Sequence, residues 1–136
     1  MNNDVDMWIP YIIKDSKTKC VLINPDRFVK EYYWSGADIG DLTDALDSSY
    51  TKVSNLRQRR VLNFTVLYDK NEQVAEDFAS IFVNDEPIIY GPCIIFRENM
   101  TSLTDKEASE LCIARCLCTY NGSTTICVKL EKDRPI

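Results

Sequence analysis

The sequence contains no histidine among its 136 residues. This absence excludes Ser-His-Asp and Cys-His catalytic arrangements, histidine-ligated zinc of the metalloprotease type, and imidazole pH switches. Glycine is also scarce, and the four glycines do not form the G-x-G-x-x-G or G-x-x-x-x-G-K spacing that cradles phosphates. The common nucleotide-dependent enzymes are therefore excluded, and we predict that the protein is not an enzyme.

Long apolar runs are missing as well. No stretch approaches the roughly 20 apolar residues that a membrane-spanning helix needs, and the first residues are acidic where a secretory signal would be basic. The net charge of −5 disfavours non-specific binding to DNA or to anionic lipid. We therefore expect a cytoplasmic protein that does not bind membranes.

The length fits one domain over residues 1–136. Strand-like and helix-like segments interleave without regular βαβ spacing, which predicts an α+β domain with a mainly antiparallel sheet of about five to six strands and two to three helices. The predicted strands cover residues 7–14, 20–23, 49–53, 61–69, 87–96 and 124–130. The predicted helices cover residues 25–34, 38–46 and 104–118, and residues 74–82 form a short helix or an irregular segment. A capping box, Thr104 with Glu107, opens the last helix.

Several segments carry a resemblance to a known family. Residues 39–53 (IGDLTDALDSSYTKV) form a helix pattern that runs into a strand, residues 64–72 (FTVLYDKNE) form a strand and an acidic turn, and residues 88–95 precede a capped helix at 101–107 (TSLTDKE). Over roughly residues 39–111 the chain resembles the phage and plasmid family called domain of unknown function 3846. The resemblance implies this order of elements and a phage or mobile-element setting, and it implies no particular activity.

Four of the six cysteines lie within sixteen residues of one another: Cys112, Cys116, Cys118 and Cys127. In the predicted helix, Cys112 and Cys116 share one face. The favoured interpretation is reduced thiols in the core, because cysteine is a small residue that is often buried. A tetrahedral zinc site is the first alternative and a disulfide is the second. We therefore predict no cofactor, with zinc as the exception to test.

Acidic residues recur every three positions along the predicted helix 38–46 and just beyond it. Regularly spaced carboxylates can occupy the phosphate-binding groove of a partner protein, although they can also serve solubility alone. The candidate partner-binding face consists of Asp38, Asp41, Asp44 and Asp47.

Basic residues concentrate in a predicted loop over residues 52–60, which contains no acidic residue. Such a loop can contact a nucleic-acid backbone, pair with the acidic helix, or support self-association. The candidate residues are Lys52, Arg57, Arg59 and Arg60.

The leading functional hypothesis is a small accessory protein of a phage or mobile element that binds a host protein. Through its acidic face it would inhibit a defence or processing machine that depends on nucleic acid. The alternative is a nucleic-acid-binding regulator that uses the basic loop. A protein that binds a small ligand or a metal is the third possibility.

Overall fold

The computed structural model describes residues 17–36, 38–46, 56–73, 78–120 and 122–133. Within these ranges the chain forms nine β-strands and two α-helices. In chain order they are β1 (Thr18–Asn24), β2 (Phe28–Trp34), α1 (Ile39–Leu46), β3 (Leu56–Val61), β4 (Phe64–Asp69), β5 (Ala79–Val83), β6 (Glu86–Tyr90), β7 (Cys93–Arg97), α2 (Asp105–Ile113), β8 (Arg115–Tyr120) and β9 (Ser123–Leu130). The predicted strands 7–14 and 49–53 lie outside the described residues.

The strands form two sheets. The first has five antiparallel strands in the order β2-β1-β7-β4-β3. The second has the order β6-β5-β9-β8, in which β5 and β9 are parallel and the other neighbours are antiparallel. The prediction of a mainly antiparallel α+β fold is confirmed. The prediction of about five to six strands is wrong, because segments predicted as helix or loop pair as strands.

The two sheets share one hydrophobic core. It combines Val21 and Ile95 of the first sheet with Ile81 and Val128 of the second, and α2 closes it with Leu111. The opposite face of the first sheet carries a second cluster, which α1 covers. The central strands of the first sheet are therefore buried on both faces, so β7 is a continuous apolar run rather than an alternating one.

Residues 28–34 form strand β2 and not the predicted helix. Asn24 and Pro25 occupy the first two positions of a tight turn, in which the Arg27 amide donates to the Asn24 carbonyl at 2.9 Å. Asn followed by Pro is typical of such turns. The chain then reverses and pairs along the whole of β1, from Asn24 opposite Phe28 to Thr18 opposite Trp34. Pairing with β1 therefore decides the structure of this segment.

The last helix begins as predicted and ends earlier. The Thr104 hydroxyl accepts from the Glu107 amide at 3.0 Å, and the Glu107 carboxylate accepts from the Thr104 amide at 2.8 Å. The helix ends at Ile113 instead of reaching residue 118, because residues 115–120 pair with β9 as strand β8. The prediction that Cys112 and Cys116 share a helix face is consequently wrong.

Three further segments differ from the predictions. Residues 56–60 of the predicted basic loop belong to β3, and the two-residue turn to β4 lies at residues 62 and 63. The predicted strand 87–96 is divided at Gly91 and Pro92 into β6 and β7, which belong to different sheets. Residues 74–82 were predicted as a short helix or an irregular segment, but residues 79–83 form strand β5 because they pair with β9, and residues 74–77 lie outside the described residues. In contrast, most of the predicted strand 61–69 and the final strand 124–130 are confirmed as β4 and β9.

Candidate functional site

Helix α1 presents the acidic face that the sequence predicts. Its apolar side buries Leu42 and Leu46 completely against the outer face of the first sheet. Asp41 and Asp44 lie on the exposed side. Asp47 lies outside the described residues. The structure therefore places two of the four predicted carboxylates on the exposed side of a helix whose other side packs against the first sheet.

Asp38 has a local structural role. Its carboxylate accepts from the Gly40 amide at 2.9 Å, and its backbone carbonyl accepts from the Trp34 indole N–H at 2.9 Å. The Trp34 ring in turn contacts Phe96 edge-on, with ring centroids 5.9 Å apart. Asp38 thus joins the start of α1 to the first sheet.

The other end of α1 is held by a buried amide. Asn24 is fully buried, and its side-chain Nδ2 donates to the Leu46 carbonyl at 2.8 Å. The last carbonyls of a helix lack partners within the helix, so this bond satisfies one of them. The sequence analysis did not identify this contact, because only the fold brings Asn24 to the end of α1.

The arginines of the predicted basic loop do not share a face. Arg57 and Arg59 lie opposite Tyr68 and Val66 on β4, and Arg60 lies opposite Thr65. Because successive side chains of a strand point to opposite faces, Arg60 projects away from the other two. Lys52 lies outside the described residues.

Each of these arginines also donates within the protein. Arg59 donates to the Ile88 carbonyl at 3.1 Å, Arg57 donates to the Leu56 carbonyl at 3.3 Å, and Arg60 donates to the Leu62 carbonyl at 3.0 Å. Arg60 also lies 3.6 Å from a carboxylate oxygen of Glu98. Exposed charge on an edge strand such as β3 opposes edge-to-edge pairing with another chain, which is a structural use of these residues.

Three of the four clustered cysteines meet on the hairpin of β8 and β9. The sulfur atoms of Cys116, Cys118 and Cys127 all lie within 4.8 Å of one another. Cys118 and Cys127 are joined as a disulfide, and the Cys116 sulfur lies 3.3 Å from that of Cys127. The disulfide departs from the expectation of reduced core thiols. Cys112 lies on α2, outside this group.

Cys20 and Cys93 match the expectation of core thiols, because both are free and fully buried. Burial raises the pKa of each thiol to about 12. A side-chain contact with Ser80 opposes the increase in the pKa of Cys93. Both thiols are therefore poor nucleophiles at neutral pH.

Sequence reasoning missed a charged group around Lys19. The Lys19 ammonium lies 2.6 Å from Asp105 and 2.8 Å from Glu31, and 5.0 Å from the centroid of the Tyr33 ring. The hydrogen bond to Asp105, followed by those to Glu31 and Tyr33, raises the pKa of Lys19 above its usual value. Lys19 belongs to β1, Glu31 to β2 and Asp105 to α2, so the group ties three elements together. No local sequence signal connects residues this far apart.

A groove of about 290 Å³ lies between the start of β2 and the β8–β9 hairpin. It combines apolar side chains with two arginines, Arg27 and Arg115. Leu117, on its rim, is 72% exposed. The full lining consists of Arg27, Phe28, Val29, Arg115, Cys116, Leu117 and Ile126.

Neither helix in the described ranges is long and apolar enough to cross a membrane. Comparisons with protein-family models, with curated proteins and with solved structures find no match to this chain. The resemblance over residues 39–111 therefore stays a prediction.

Proposed function

We propose that this chain is a protein-binding module whose acidic helix face, formed by Asp41 and Asp44 on α1, binds a basic surface on a partner protein. In this proposal the partner is a host protein of a nucleic-acid-dependent defence or processing machine. The chain acts in the cytoplasm of the host as an accessory protein of a phage or mobile element. It inhibits this machine by occupying the basic surface of the partner protein, and it catalyses no reaction.

One observation carries the proposal: the exposed carboxylates lie on a helix whose opposite side buries two leucines completely. Leu42 and Leu46 anchor α1 to the first sheet. Residues three apart on a helix are neighbours separated by about 4.5 Å along its axis. A partner therefore meets two negative charges on a backbone that is already ordered, and preorganisation of this kind reduces the entropic cost of association.

The nucleic-acid alternative has weaker support from the geometry. Arg60 projects to the face opposite that of Arg57 and Arg59, so the three arginines do not form one continuous basic surface. The net charge of −5 also opposes binding to phosphate backbones. This alternative predicts salt-sensitive binding of RNA or DNA that is lost when Arg57, Arg59 and Arg60 become alanine.

The proposal is tested first by identifying the partner. The tagged full-length chain is incubated with host lysate, with and without nuclease, and the captured proteins are identified by mass spectrometry. We expect one host protein in stoichiometric amount that is retained after nuclease treatment. Capture that disappears with nuclease would contradict the proposal and favour nucleic-acid binding through the arginines of β3.

The contact face is then tested by charge reversal in the purified complex. We expect the double variant Asp41→Lys/Asp44→Lys to bind the partner at least about tenfold more weakly, because like charges would then meet across the interface. The matched control is Glu86→Lys/Asp133→Lys, which changes the net charge equally at exposed positions outside α1. Equal affinity of the two double variants, measured by calorimetry, would remove the acidic helix face from the proposal.

A further inference from the structure

We propose that Cys116, Cys118 and Cys127 form a binding site for Zn²⁺ in the reduced protein. We call these residues the cysteine triad. Within the described part of the chain, they form the one group of potential ligands whose ligating atoms converge closely enough to hold a metal ion. The proposal does not depend on the acidic helix face.

The β8–β9 ladder explains why the three sulfurs converge. Cys116 lies directly opposite Cys127, and Cys118 lies opposite Thr125, two residues further along β8. Side chains two residues apart on a strand share a face, and those directly opposite on the neighbouring strand share it too. All three thiols therefore stand on the same face of the second sheet, and backbone hydrogen bonds hold them in register.

The dimensions of the triad suit a thiolate-bound zinc ion. Zinc–sulfur bonds of about 2.3 Å in tetrahedral geometry place neighbouring sulfurs roughly 3.8 Å apart. The Cys116 and Cys127 sulfurs are separated by 3.3 Å, and every pair in the triad lies within 4.8 Å. Reduction of the Cys118–Cys127 disulfide frees these two sulfurs to separate to the distance that zinc requires.

The triad also leaves one position of the metal open. Cys127 is fully buried, whereas Cys116 and Cys118 are half-buried, so solvent reaches one side of the group. Cys112 lies outside the convergent group. A bound zinc would therefore carry three thiolates from this chain and a water as the fourth ligand, as in zinc sites that keep an exchangeable position.

The disulfide and the zinc site are alternative states of the same atoms. A disulfide uses two sulfurs, and the register of the β8–β9 ladder keeps the third, that of Cys116, within 3.3 Å of Cys127. A dithiol or phosphine reductant supplies the two electrons that convert the Cys118–Cys127 bond into two thiols, and the reductant is itself oxidised. Zinc binding then displaces three thiol protons to solvent, which makes binding dependent on pH.

The test uses the full chain, reduced with a phosphine, freed of metal and titrated with Zn²⁺. Native mass spectrometry should detect one zinc ion per chain. Substitution with Co²⁺ should produce sulfur-to-cobalt charge-transfer absorption that Zn²⁺ abolishes by displacement. A reduced chain that retains no zinc, or a disulfide that persists after treatment with the reductant, would overturn the proposal.

Variants assign the ligands. We expect Cys116→Ser and Cys118→Ser each to weaken zinc binding by at least about 100-fold, because each removes a thiolate ligand. The control is Cys112→Ser, which should bind zinc as the unsubstituted chain does. Equal zinc affinity in all three variants would contradict the assignment.

A second measurement requires no substitution and therefore does not depend on whether a variant folds. Zinc should protect the half-buried Cys116 and Cys118 from alkylation and leave the alkylation of Cys112 unchanged, as read by peptide mass mapping. Protection that includes Cys112, or that is absent from Cys116 or Cys118, would overturn the proposed ligand set.

Discussion

At the scale of single residues, burial gives the six cysteines different chemistry. Cys20 and Cys93 are enclosed by apolar neighbours, which raises the pKa of each to about 12. Cys118 and Cys127 are bonded to each other, and Cys116 lies beside them. The sequence shows that four of the six cysteines lie close together along the chain. Only strand pairing separates the buried thiols from the triad, because pairing decides which residues share a face.

Cys93 should resist alkylation in the native protein. At pH 8 its thiolate fraction is roughly a thousandfold below that of a thiol with a pKa of 9.0. We expect iodoacetamide to label Cys93 only after unfolding in urea, while the half-buried Cys112 is labelled in the native chain. Equal labelling rates for Cys93 in the native and the unfolded chain would contradict this.

The same burial makes stability depend on pH. The folded pKa of Cys93 lies above its unfolded value of 9.0, so the fold favours the neutral thiol. The stabilising contribution is fully present below pH 9 and is lost as the pH rises towards 12, because the unfolded chain ionises first. Urea denaturation should therefore detect a steeper loss of stability above pH 9 in the unsubstituted protein than in Cys93→Ala.

At the scale of elements, the two ends of α2 differ in how well the sequence predicts them. The Thr104–Glu107 capping box marks the start of α2 in the sequence and is present in the structure. The end at Ile113 carries no comparable signal, because β9 recruits the following residues into a strand. For the same reason β2 was predicted as a helix. In a short segment with helical periodicity, the helix competes with a strand that pairs with residues far away in the sequence.

The capping box should contribute measurably to stability. Thr104→Ala removes the acceptor for the Glu107 amide, and we expect the free energy of unfolding to fall by about 1 kcal/mol. Ser109→Ala, at an exposed position within α2, is the control and should change stability by less than about 0.5 kcal/mol. Similar values for the two variants in urea denaturation would show that the cap is not important for this helix.

At the scale of the whole molecule, the chain passes directly from one sheet into the other at Gly91. Gly91 has a φ of 78°, and its amide donates to the Phe78 carbonyl at 2.7 Å. A positive φ suits glycine, which has no Cβ to clash with the backbone. This turn lets β6 complete the second sheet and β7 occupy the centre of the first. Gly91 and Pro92 interrupt the apolar run of residues 87–96, but the sequence alone does not show that the chain changes sheet there.

Gly91→Ala should destabilise the whole fold by about 1–2 kcal/mol, the cost of a left-handed conformation for a residue with a side chain. Gly122→Ala provides a reference, because Gly122 has a φ of 81° and open space around its Cβ position. We expect Gly91→Ala to cost at least as much as Gly122→Ala in thermal or urea denaturation. A neutral Gly91→Ala variant would contradict the role assigned to the turn.

The sequence by itself determined the α+β class, strands β4 and β9, helix α1 with its acidic face, and the capped start of α2. Each depends on periodicity or capping over a few neighbouring residues. Tertiary structure alone decided the division into two sheets, the conversion of two helical predictions into β2 and β8, the separation of the arginines, and the cysteine triad. These features depend on pairing between distant segments. Register fixes which side chains share a face, and no short window of sequence contains the register.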